Sequence, residues 1–216
     1  MELFFFTIIT ICVVFVVDYI SRYLIANRIE FAKNKKKGIP FYYFFIIIFS
    51  VLIELIVYWN FGYSVDSIFY FLFFILLFIA AIVDFKLNLI PNEISIVGLV
   101  IALIYLIFRD DISAINAIST AIVCAIFLYF ISWIMHMLHR KGGIGFGDIK
   151  LLIFTAIFLG FTHFFTVMAV SFLLTSIVSL FLSLISKKKD LLSGELAFAP
   201  SVFFVVLGYF FLLSTK

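Results

Sequence analysis

Long apolar runs separated by short polar segments follow one another along the whole chain. Eight such runs stand out: Leu3–Ile20, Phe41–Trp59, Ser67–Val83, Ile94–Phe108, Ile112–Met135, Ile149–Phe161, Phe164–Ile185 and Ser201–Leu213. A helix needs about twenty apolar residues to cross the hydrocarbon core of a bilayer. The pattern predicts an all-α fold, a polytopic transmembrane helix bundle of about eight spans, the sixth of which is short.

Composition supports lipid as the main solvent of these runs. Hydrophobic residues make up 66% of the chain and charged residues 12%, whereas soluble domains keep about 25% charged. A soluble domain of this size exposes too much surface to hide so many apolar side chains. We therefore expect residues 1–216 to form a single membrane domain, with the first run kept as a span because no basic segment precedes it and no small-residue cleavage site follows it.

The basic residues predict the orientation of the domain. With eight spans, thirteen of the fifteen Lys and Arg residues fall in one set of loops, and only Arg109 and Lys216 lie on the other side. Cytoplasmic loops carry the excess of Lys and Arg, so both termini are expected outside the cytoplasm. The segment Ser21–Pro40 then becomes a basic cytoplasmic loop, which either sets the topology or also lies against anionic lipid headgroups.

Carboxylates at membrane depth are costly and mark functional sites. Seven of the twelve are expected to be ordinary surface charges: Glu2, Glu30, Asp66, Asp110, Asp111, Asp190 and Glu195. Glu93 follows a proline and suits a helix N-terminus. Asp18, Asp84 and Asp148 are expected near the cytoplasmic face, and Glu54 in the middle of the second span, as a structural hydrogen-bonding residue or a proton site.

Asp84 and Asp148 have distinctive surroundings. Asp84 opens a segment that ends at Pro91 and Asn92, where the proline suits the start of a new helix. Asp148 closes a segment with four glycines in six residues, from Gly142 to Gly147, whose backbone can approach another chain closely. Two close carboxylates, one ionised and one protonated, can activate a water molecule; the alternative is two solvated helix ends.

These residues resemble the type IV prepilin peptidases and the related archaeal preflagellin peptidases. The pattern Asp-x5-Ile-Pro-Asn is matched by Asp84, Ile90, Pro91 and Asn92. The pattern Gly-x-Gly-Asp, followed by a hydrophobic residue and Lys, is matched by Gly145, Gly147, Asp148 and Lys150. A Pro-Phe-Gly-Pro segment opens the last helix of many members, and Phe198-Ala199-Pro200 is a degraded version of it.

The resemblance implies an intramembrane aspartic endopeptidase of the cytoplasmic membrane. We expect no cofactor, and no metal site because the sequence has no Cys-x-x-Cys pair and no Cys/His cluster. Asp84 and Asp148 would be catalytic, with substrate-binding or supporting roles for Gly145, Gly147, Lys150, Pro91 and Asn92. The implied partners are pilin-like or preflagellin-like precursors with a basic leader and a hydrophobic helix, together with membrane lipid and no nucleic acid. Many bacterial members also methylate their product and carry two Cys-x-x-Cys pairs in the first cytoplasmic loop. Because Ser21–Pro40 contains no cysteine, we expect no methylation by this chain.

Three alternatives stay open from the sequence. Another intramembrane Gly-x-Gly-Asp protease, of the presenilin or signal-peptide-peptidase kind, would have Tyr before the first aspartate, where this chain has Val83. A small transporter or proton-coupled channel would use Glu54, Asp18 and histidines as a relay. A catalytically inactive relative is the third, and two intact aspartate motifs argue against it.

Overall fold

The computed structural model describes residues 2–29, 41–109, 112–139, 145–185 and 197–214. The described residues form seven α-helices and no strand. The helices are α1 (Glu2–Ile29), α2 (Phe41–Phe61), α3 (Val65–Leu87), α4 (Asn92–Phe108), α5 (Ala114–His139), α6 (Phe146–Ile185) and α7 (Ala199–Ser214).

Among the described residues, three helices are long and apolar enough to cross a membrane by length and composition. They cover Val65–Leu87, Ala114–Leu138 and Phe146–Leu182. Shorter apolar helices cover Phe45–Phe61, Asn92–Phe108 and Ala199–Leu213. The all-helical fold expected from the apolar runs is therefore confirmed, but the eight expected spans correspond to seven helices.

The first helix is longer than the sequence pattern indicated. It continues to Ile29, and Ser21, Leu24 and Ile25 are buried along its second half. The helix also carries an ion pair one turn apart, with Arg22 Nε 2.7 Å from an oxygen of Asp18. The expectation of a loop beginning at Ser21 was therefore wrong, because apolar side chains keep this segment packed as helix. Residues 30–40 of the expected loop lie outside the described part of the chain.

Helix α3 lies at the centre of the bundle and packs against α1, α2, α4 and α7. Its ring contacts include Phe73 stacked on Phe158 at 4.4 Å and Phe78 stacked on Phe203 at 5.0 Å between ring centroids. In lipid, helices associate mainly through close van der Waals packing rather than exclusion from water. The many phenylalanines of this sequence supply that packing.

Helix α6 is broken at Gly160, which has φ 67° and ψ 177°. In a continuous helix the Phe161 N–H would donate to the Ile157 carbonyl four residues earlier. Here Arg109 Nη1 donates to that carbonyl at 2.8 Å, and Asn116 Oδ1 accepts from the Phe161 N–H at 3.0 Å. Two side chains from outside α6 thus provide hydrogen-bond partners for these two backbone groups at the break.

Ring contacts give the directions of the helices around the break. The first arm of α6 and helix α7 both run antiparallel to α3, as the pairs Phe73–Phe154, Tyr70–Phe158, Phe78–Phe203 and Phe74–Phe210 show. The second arm runs antiparallel to α7, because His163 meets Tyr209 and Phe172 stacks on Phe198. The two arms of α6 therefore run in opposite directions and correspond to the sixth and seventh apolar runs.

Candidate active site

Asp84 lies in the last turn of α3, and Asn88 caps the end of this helix. Asn88 adopts a left-handed conformation with φ 51°, and its N–H donates to the Asp84 carbonyl at 2.7 Å. Left-handed backbone is tolerated by asparagine better than by most residues. The chain then passes through Pro91, the N-cap of α4. The segment after Asp84 is thus a short, well-defined connection between two helices.

The Asp84 side chain is buried, with 4% of its surface exposed. Its Oδ2 accepts a hydrogen bond of 2.9 Å from the backbone N–H of Ala199, at the start of α7. A buried carboxyl group needs such partners because burial removes its hydration. Asp84 therefore connects the end of α3 to the beginning of α7.

Asp148 lies in the first turn of α6 and is half-buried. A side chain at Gly145 would place its Cβ 3.1 Å from Asp148 Oδ2, so the glycine leaves room for the carboxyl group. The Gly145 carbonyl also accepts a hydrogen bond from the Ile149 N–H at 3.2 Å. Residues 140–144 of the glycine-rich segment lie outside the described residues.

The two motif segments pack against each other. A Cβ at Gly147 would lie 2.9 Å from the Cβ of Ile90, so only a glycine allows this approach. Lys150 Nζ donates to Asn92 Oδ1 at 2.8 Å, a bond between residues 58 positions apart. The start of α6, which carries Asp148, therefore packs against the segment that follows Asp84 and against the start of α4. Gly147 is packed against the protein itself, whereas Gly145 is exposed.

The carboxylates of the transporter alternative lie elsewhere. Asp18 pairs with Arg22 on α1. Glu54 is buried in α2 between two ring layers, one formed by Phe49 with Phe78 and the other by Phe61 with Tyr70. Asp84 lies beyond Phe78, on the side away from Glu54. His163 contacts Tyr209 toward the far end of α7 from Ala199, so these groups are spread through the bundle.

The structure corrects the interpretation of Asp66 as an ordinary surface charge. Asp66 Oδ1 accepts a hydrogen bond of 2.7 Å from the hydroxyl of Tyr105, whose side chain is buried. Arg109, which the eight-span interpretation places on the side away from the basic loops, is 6% exposed, and its guanidinium carbon lies 4.8 Å from the centre of the Tyr105 ring. This cluster, at the opposite end of α3 from Asp84, holds helix ends together.

Within the described ranges, no group of three or more His, Cys, Asp or Glu residues is arranged to hold a metal ion. The chemistry available at the packed motif segments is that of two carboxyl groups, one lysine and backbone amides.

Fold and site together describe an all-helical protein, with helices long and apolar enough to cross a membrane, in which the segment after Asp84 packs against the helix start that carries Asp148. A family model described as the type IV leader peptidase family matches residues 71–184, a range that contains both aspartate motifs. The chain belongs to the type IV leader peptidase family. The family expected from the two motifs is thereby confirmed.

A curated protein with low sequence identity is also similar to the chain. The prepilin leader peptidase/N-methyltransferase of Pseudomonas putida is 25% identical to the chain over 149 residues, which cover 69% of this chain and 51% of that protein. The chain thus spans about half the length of this curated relative. No solved structure matches the chain.

Proposed function

We propose that the protein is an aspartic endopeptidase of the cytoplasmic membrane that removes the short basic leader from type IV pilin-like precursors. The observation that carries the proposal is the packing of the two motif segments, through Gly147 on Ile90 and Lys150 on Asn92. Membership of a leader peptidase family supports the same reaction class.

In the proposed mechanism, Asp84 and Asp148 hold one water molecule and share one proton. The ionised carboxylate takes a proton from the water, whose oxygen attacks the scissile carbonyl carbon, while the protonated carboxyl group donates its proton to the carbonyl oxygen. The tetrahedral intermediate then collapses: the C–N bond breaks as the leaving nitrogen takes the proton from the pair. One hydroxyl of the intermediate gives its proton to the other carboxylate, so that the carbonyl re-forms and the pair again shares one proton. Because coupled carboxyl groups titrate as a unit, acid and base are assigned to the pair.

The precursor would be bound with its leader at the cytoplasmic face and its cleavage site extended beside the glycine segment. An extended peptide needs backbone hydrogen-bond partners. Gly145 suits this role because it is exposed and precedes α6, whereas Gly147 is packed against Ile90. Pro91, Asn92 and Lys150 support the site by fixing the start of α4 against α6.

The proposal is tested with the purified full chain in lipid vesicles and a pilin-like precursor that has a basic leader ending in Gly. We expect mass spectrometry to show cleavage after the leader and no cleavage of a precursor whose junction glycine is replaced by a bulky residue. An intact precursor in the presence of folded protein would contradict the peptidase proposal.

The same products test methylation. With a methyl donor present, we expect an unmodified mature N-terminus, because no Cys-x-x-Cys pair occurs in this chain. A mass increase of one methyl group would contradict this part of the proposal and leave the peptidase activity standing.

A further inference from the structure

The start of α7 supplies a backbone group to Asp84. Ala199 is the first residue of α7, and the first N–H groups of a helix have no acceptor within the helix. The Ala199 N–H donates instead to Asp84 Oδ2 at 2.9 Å, between residues 115 positions apart. The N–H groups of Ser201 and Val202, which follow in the first turn of the helix, both donate to the Phe198 carbonyl.

The position of this donor is set by its neighbours. Phe198 stacks on Phe172 of the second arm of α6, with ring centroids 4.9 Å apart. Pro200 follows, and its fixed φ favours the first turn of a helix. Ala199 itself has no exposed surface. The donor is therefore held by α7 and α6 while the acceptor belongs to α3.

Two adjacent backbone groups, those of Phe198 and Ala199, hydrogen-bond to the Asp84 carboxyl group, and the Ala199 N–H donates to Oδ2. The bond from Ala199 restricts the rotation of the carboxyl group and occupies Oδ2. The N-terminus of a helix also carries a positive partial charge that favours a nearby carboxylate. Both effects act on the orientation and charge of Asp84 rather than on substrate contacts.

We propose that Ala199 is a positioning residue whose backbone N–H holds the Asp84 carboxyl group so that Oδ1 faces the water shared with Asp148. This inference rests on the proposed peptidase function. It makes the beginning of α7 a third component of the site, beside the two aspartate motifs, and it assigns a role to the segment Phe198-Ala199-Pro200.

Replacement of Ala199 by its α-hydroxy acid tests the proposal most sharply, since the resulting ester lacks the N–H and keeps the side chain. We expect kcat on the pilin-like precursor to fall about 10- to 100-fold, the range for a hydrogen bond to a charged group, with little change in KM. Ala199→Gly keeps the N–H and should retain kcat within about threefold of the natural protein. An ester variant with unchanged kcat would overturn the proposal, and so would an equal loss in Ala199→Gly.

Amide hydrogen exchange tests the bond without any activity. In the ¹⁵N-labelled protein, Asp84→Ala should accelerate exchange of the Ala199 N–H at least about tenfold by removing its acceptor. The Ser201 N–H, which donates to Phe198, should keep its rate and serves as the internal control. Unchanged exchange at Ala199 would overturn the proposal, whereas an inactive natural protein would overturn the peptidase function and leave this measurement valid.

Discussion

Gly147 illustrates how one absent side chain brings two parts of the site together. The residue lies in the first turn of α6, where backbone freedom is not needed. What it provides is space, because any Cβ there would lie 2.9 Å from the Cβ of Ile90 and 3.4 Å from the Ile90 carbonyl oxygen. The contact determines how closely the segment after Asp84 approaches the segment that carries Asp148.

We expect Gly147→Ala to lower kcat for precursor cleavage at least about tenfold, since backbone displacements near 1 Å at a catalytic centre have effects of this size or larger. Cleavage of the pilin-like precursor by purified protein measures it. Gly208→Ala is the matched control, because nothing lies within 4 Å of the Cβ it would add. Wild-type cleavage by Gly147→Ala would show that this approach does not govern the site.

At the residue scale, the sequence predicted which segments carry the site but not all of their partners. Asp84 and Asp148 stand out because each begins or ends a segment marked by proline or by several glycines. The partner Ala199, the hydrogen bond from Tyr105 to Asp66 and the burial of Arg109 could not be predicted. Residues at the ends of apolar runs look alike in sequence, and their burial depends on which helix ends meet in space.

The broken helix α6 depends on side chains from the segment between α4 and α5 and from the start of α5. We expect Asn116→Ala to reduce the free energy of unfolding by about 0.5–1.5 kcal/mol, because it removes the acceptor of the Phe161 N–H. Denaturant unfolding in mixed micelles measures the change. Ser119→Ala, on the exposed side of the same helix, is the control and should stay within about 0.5 kcal/mol. Equal stability of the two variants would contradict the proposed role of Asn116.

At the element scale, the apolar runs predicted where the helices lie, because a backbone in lipid must satisfy its own hydrogen bonds. The basic residues after Ser21 led to the prediction of a loop there. The segment is instead the second half of α1, which packs through Leu24 and Ile25. The boundary between the two arms of α6 was visible as a short polar interruption. The groups that stabilise it were not, because Arg109 and Asn116 are 48 and 45 positions away from their partners.

The distribution of basic residues orients the whole molecule in the membrane. Most Lys and Arg residues belong to segments on the side of Asp84 and Asp148 under the eight-span interpretation, so that side is expected to face the cytoplasm. The basic clusters around Lys37, Arg140 and Lys189 lie outside the described residues, so the orientation remains a prediction from the sequence.

Cysteine labelling tests this orientation. Single cysteines introduced after Lys37, Arg140 and Lys189, in a chain lacking Cys12 and Cys124, should react with a membrane-impermeant reagent only from the cytoplasmic side. A cysteine placed before Leu3 should react only from the other side. Reaction of the Lys37 site from outside would place both aspartate motifs on the wrong face for cleavage of a cytoplasmic leader.

The central claim is that Asp84 and Asp148 act together as one catalytic unit, and cleavage by single and double variants tests it most directly. Asp84→Asn and Asp148→Asn keep the shape of the side chain and remove its charge. Each is expected to reduce the cleavage rate at least about a thousandfold. The double variant should be no slower than either single one, because the effects of residues that act as a unit do not add.

Asp18→Asn and Asp66→Asn, whose carboxylates contact Arg22 and Tyr105, are the controls and should keep most of the activity. Substantial cleavage by either single variant at normal expression and membrane insertion would contradict the aspartic mechanism.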